Sequence, residues 1–115
     1  MAYRGVTVGD LIDRYIKEYE ELASFGRTKS ATFKQIKGFD VADIDATKLT
    51  SSHLVDHVRG RRADGVGAST VNNDLIWLGV VFKIARPAWG FPISNDVVSD
   101  AIELCRANKL ISRSK

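Results

Sequence analysis

Residues 67–85 read GASTVNNDLIWLGVVFKIA, and the class of fold depends on what this stretch forms. Val71, Leu75, Leu78, Phe82 and Ala85 recur in a four-three-four-three rhythm, within about 40° of one line on an α-helix. Ile76, Trp77, Val80, Val81 and Ile84 cover the other sides, with Asn72, Gly79 and Lys83 as a narrow polar strip. A helix apolar nearly all round packs centrally, between neighbours. Its opening is different. Ser69 is the expected N-cap, its hydroxyl taking a free backbone N–H, and Thr70, Asn72, Asn73 and Asp74 are expected to decorate an end that emerges. Pro87 is expected to stop the helix. The functional question is what the polar end faces.

Upstream, Thr7-Val8-Gly9-Asp10 is close to a capping box. Leu11, Ile12, Tyr15, Ile16, Tyr19, Leu22 and Ala23 then share one arc, opposite a charged face, and Phe25-Gly26 should end this first helix. A second helix is expected from Lys29 or Ser30, with Phe33 and Ile36 inward and Gly38 as its end. The connector FDVADIDATKLT offers Phe39, Val41, Ile44 and Leu49 to a core. Thr50 or Ser51 should cap a third helix carrying Leu54, Val55 and Val58, which ends in an arginine-rich turn and Asp64-Gly65. Downstream, Trp89 and Phe91 should fold back onto the core. Ser94 or Asn95 should cap a fifth helix with Val97, Val98, Ala101, Ile102, Leu104 and Cys105 on its arc. No stretch alternates convincingly as a strand. The expectation is all-α, a small bundle of four to five helices.

Composition narrows the function classes. A chain of 115 residues with 44% apolar content suits one domain with a modest core. No run approaches the roughly 18 apolar residues of a membrane span, and MAYRGVTVGD lacks a signal peptide's apolar stretch, so a cytoplasmic location away from membranes is expected. The single cysteine, Cys105, excludes an internal disulfide and a multi-cysteine zinc site. It lies on an apolar arc, which points to a buried, inert thiol. The net charge is only +3, but it is segregated. Arg27, Lys29, Lys34 and Lys37 fall in a segment without an acid, and Arg59-Gly60-Arg61-Arg62 forms a second basic island. Between them stand Asp40, Asp43, Asp45 and Asp56 against Lys48 alone. Two basic islands that merge on one face would suit an anionic partner.

The order of these features resembles one family. An amphipathic helix is followed by the basic Lys29-to-Lys37 helix, Ile44-x-x-x-x-Leu49-Thr50 and Arg61-Arg62. Then come Ser69-Thr70-Val71-Asn72 opening an apolar helix and Ala85-x-x-x-Trp89-Gly90. This set is similar to the core-binding domain, a SAM-like helical bundle, that precedes the catalytic domain in phage integrases and other tyrosine recombinases. The resemblance spans roughly Thr7 to Asn108 and implies an orthogonal bundle of four to five helices over residues 1–108, with 109–115 beginning a linker to the catalytic domain. Asn73 stands where members often carry arginine, and Asn95-Asp96 where Asn-Pro is usual.

The resemblance implies that the second and fourth helices face double-stranded DNA. Carried over, Lys29, Thr32, Lys34 and Lys37 would approach from the second helix, and Thr70, Asn72 and Asn73 from the tip of the fourth, with Arg61 and Arg62 beside them. The chemistry suits that task. Lysines attract phosphates through counterion release, a helix N-terminus aims free N–H groups at an anion, and an asparagine amide can pair with adenine. The family also implies a catalytic domain in the same protein and neighbouring recombinase protomers as partners. Its tyrosine nucleophile and His-x-x-Arg box have no counterpart here. Tyr3, Tyr15 and Tyr19 are N-terminal, and neither His53 nor His57 has arginine three residues on. The chain therefore reads as a non-catalytic part of a longer recombinase that needs no cofactor.

Other patterns carry less. His53 and His57 share a helix face at a metal-ligand spacing but lack a third ligand, and a solvated face is the expectation. Gly65-Val66-Gly67 lacks the Gly-Lys-Ser/Thr ending of a phosphate loop and is expected to be a turn. A helix-turn-helix regulator would want a shorter connector than residues 63–68 offer. A protein-interaction module would use the fifth helix's arc and need no DNA.

Overall fold

In a computed structural model that describes residues 6–22 and 26–112, the chain forms five helices: α1 (Val8–Tyr19), α2 (Arg27–Ile36), α3 (Ser51–Ala63), α4 (Ala68–Trp89) and α5 (Asp96–Ala107). Two 3-10 turns, Asp40–Asp43 and Ala46–Lys48, fill the connector between α2 and α3. No strand occurs among the described residues, only an isolated antiparallel bridge between Thr7 and Asp45. The fold is a small all-α bundle.

Reciprocal caps set two of the starts. Thr7 Oγ1 accepts the Asp10 N–H at 3.1 Å while Asp10 Oδ2 accepts the Thr7 N–H at 2.9 Å. At α3 the Thr50 hydroxyl accepts the His53 N–H at 3.3 Å and His53 Nδ1 accepts the Thr50 N–H at 3.0 Å. Histidine fills the place that Glu or Gln takes in the usual capping box.

Both ends of α4 differ from expectation. It begins at Ala68, with Gly67 at the N-cap and no side-chain cap, so Ser69 lies inside the first turn. Pro87 does not stop it. An exposed proline in the last turn removes a single backbone bond near the terminus, and the helix runs on to Trp89. Gly90 closes it in the left-handed region (φ 65°), its N–H donating to the Arg86 carbonyl at 3.0 Å. The α1 arc also stops early: the helix ends at Tyr19 and Leu22 is 77% exposed, while Ala23 and Phe25 lie outside the described residues.

The apolar seam behaves as its period predicts. Val71, Leu75, Leu78, Phe82 and Ala85 are all buried, and α4 packs against α1, α2, α3 and α5. Gly79 lets α5 approach: a Cβ there would stand 3.3 Å from Asn95 Oδ1 and 3.4 Å from Val98 Cγ1. Val98, Ala101 and Cys105 of α5 are buried, Leu104 is exposed, and the helix closes the bundle. Trp89 does fold back, its indole N–H donating to Glu18 Oε1 at 2.9 Å beneath the Arg14 guanidinium. Phe91 is buried. Packing continues beyond residue 108, where a linker was expected. Leu110 and Ile111 join the core and the Ser112 N–H donates to the Ala68 carbonyl at 3.3 Å. Among the described residues no helix is long and apolar enough to cross a membrane.

Candidate nucleic-acid interface

The expected contact residues of α2 have separate fates. Lys34 is exposed. Lys37 is outward but ion-paired with Asp13 of α1. The two lysines line a shallow depression of about 250 Å³ with Ile16, Glu20 and Ser30, on the α1 side of the helix. Lys29 instead folds across aromatic rings. Its Nζ donates to the Tyr15 hydroxyl at 2.9 Å and sits 4.8 Å from the centre of the Trp77 ring. Thr32 is buried, its hydroxyl donating to the Thr28 carbonyl at 2.8 Å. A buried threonine that bonds its own helix offers nothing to a phosphate, so that assignment is corrected.

Helical geometry sorts the first turns of α4 in the same way. Steps of about 100° put Asp74 roughly 60° from the centre of the buried seam, Asn72 roughly 100° and Asn73 roughly 160°. Accordingly Asp74 is 1% and Asn72 5% exposed, whereas Asn73 is half-buried and Thr70 exposed. Asn72 was expected at the emerging tip. It lies on the buried side, and its Oδ1 has no hydrogen-bond partner.

Asp74 is the hub of a buried polar network that the sequence did not announce. Its Oδ2 accepts from His57 Nε2 at 2.9 Å and from Arg61 Nε at 3.1 Å. Arg61 Nη2 donates to Gln35 Oε1 at 3.1 Å, and its guanidinium lies 5.0 Å from the Phe39 ring centre. Arg61 is 7% exposed, so its expected DNA contact gives way to a structural role. His57 is likewise buried rather than solvated. Its bond to Asp74 needs a proton on Nε2, whether the ring is neutral or charged. The network ties α2, α3 and α4 together through charge-assisted bonds. Arg62 stays exposed, and its Nη1 donates to the Val66 carbonyl at 3.0 Å, bracing the turn into α4.

The two histidines are thus engaged separately, one in a cap and one with Asp74. Among the described residues no group of three or more His, Cys, Asp or Glu side chains could hold a metal ion. Burial pushes the Cys105 thiol above its ordinary range, which disfavours the nucleophilic thiolate.

Comparisons with family models, curated proteins and solved structures give no match. The surface chemistry itself carries the functional argument. Arg27 and Lys34 are exposed on a helix that has no acidic residue. That helix packs along α4, whose first turn presents exposed Ser69 and Thr70 and no side-chain cap.

Proposed function

We propose that this domain grips duplex DNA as a core-binding module of the tyrosine-recombinase type, with catalysis carried by another domain. The observation that supports it best is the pairing of an acid-free basic helix with the uncapped start of its neighbour. Exposed Arg27 and Lys34 would neutralise phosphates and release counterions. The first-turn N–H groups of α4, at the positive end of the helix dipole, would meet a phosphate beside Thr70. Asn73, well round the helix from the buried seam, would be the side chain to approach a base edge. Lys29 and Lys37 would contribute field rather than direct contact, since each is already engaged.

A second DNA-binding reading draws on the turn between α3 and α4. Helix α3 extends to Ala63 and α4 starts at Ala68, so the turn is only Asp64–Gly67, shorter than the sequence suggested. A turn of that length suits a helix-turn-helix, in which α3 would cross the backbone and α4 enter the groove. The two readings differ in which cations matter. Fluorescence anisotropy of a labelled duplex decides between them. The core-binding reading expects Arg27→Ala and Lys34→Ala to weaken binding and Arg59→Ala to do little. A loss confined to Arg59→Ala and Arg62→Ala would favour the helix-turn-helix and reject the role of α2.

A further inference from the structure

A mainly apolar cleft of about 390 Å³ lies between the connector and α3, on residues the DNA reading does not use. Phe39, Val41 and Ile44 form one wall. The other is a single stripe of α3, where His53, Asp56, His57 and Gly60 recur at helical spacing, continued by Asp64 just past its end. Gly60 leaves that stripe without a side chain at one position.

Gly60 opens the last turn of α3, where a glycine weakens the helix modestly relative to alanine. Nothing among the described residues requires it. Gly60 does not have a positive φ, and a Cβ there would meet nothing within 4 Å. The space it leaves opens into the cleft and gives room for a backbone to approach closely.

The rim says what chemistry that something has. Asp40, Asp56 and Asp64 are exposed at the cleft, and none takes part in a side-chain hydrogen bond or ion pair among the described residues. The one lysine or arginine in the lining is Arg61, already held by Asp74 and Gln35. Apolar and aromatic walls beneath unpaired carboxylates complement a long cation. Its methylene stem would lie along Phe39 and Ile44, and its charged head would reach the rim. Arginine fits best, because a planar guanidinium both stacks on rings and forks onto carboxylates. A phosphate would be repelled.

We infer that this cleft seats an arginine-bearing segment of a protein partner, whose backbone passes over Gly60. The inference stands apart from DNA binding, so either can fail alone. The test is an NMR titration of the ¹⁵N-labelled domain with N-acetyl-arginine amide, set against N-acetyl-citrulline amide, a neutral isostere. Saturable shifts at Phe39, His57 and Gly60 are expected with the arginine probe alone. Asp56→Asn combined with Asp64→Asn should weaken binding about tenfold. Gly60→Leu should fill the cleft and abolish the shifts while the melting temperature stays level or rises. Equal response to citrulline, shifts spread over other acidic surfaces, or undiminished binding by Gly60→Leu would overturn the inference. So would a fall in melting temperature, since Gly60 would then be serving the fold.

Discussion

Lys34 on α2 and Arg61 on α3 both belong to basic runs in the sequence, and they end in opposite environments. Lys34 is exposed, with no acid on its own helix. Arg61 is buried against Asp74, which sits seventeen residues from His57 and thirteen from Arg61. The difference does not lie in the cations. It lies in whether the helix period turns the side chain inward and whether an acid waits across the interface. Lys34 remains available to a partner, whereas Arg61 becomes part of the scaffold that aims α4.

If that contrast is right, Asp74→Ala should damage the fold more than any change to a surface cation. It would leave Arg61 buried without its counter-charge and His57 without its hydrogen-bond partner, at a cost of about 3–5 kcal/mol. Chemical denaturation would measure it, and a cost near zero would mean the network holds nothing together. Asn72→Ala should be far milder, below about 1 kcal/mol. The small volume lost is offset by removal of a buried carbonyl oxygen that has no partner. A large loss there would reveal a bond that the geometry does not contain. Lys37→Ala breaks a surface ion pair with Asp13 and should cost about 0–1 kcal/mol, fading further in high salt. Lys34→Ala should leave stability within about 0.5 kcal/mol while still reducing DNA affinity. Thermal melts and anisotropy on the same samples would separate the two effects.

Much of the bundle was legible because its cues are local or periodic. Thr7 and Thr50 cap within three residues of their partners, and the Val71-to-Ala85 seam needs only helical spacing. The buried network was not legible because every bond in it joins separate elements. His57 looked solvated and Asp74 looked like part of an exposed tip until the fold brought them within 2.9 Å. One signal was available: Asp74 lies close in angle to the seam, where a carboxylate must find a partner or be excluded. Asn72, further round the helix, is buried as well but its Oδ1 finds no partner. Pro87 misled because its effect on a helix depends on position, and in the last turn little remains to break.

The central claim is that the exposed cations of α2 contact DNA. The direct measurement is the salt dependence of duplex binding for the native chain and for the Arg27→Ala/Lys34→Ala variant, between about 50 and 200 mM salt. Native binding should be weak at physiological salt, with Kd ~10⁻⁴ to 10⁻⁶ M, and should fall steeply as salt rises. The variant should bind more weakly on every sequence, with a log–log slope shallower by about two units. No binding at low salt, or an unchanged slope in the variant, would contradict the account.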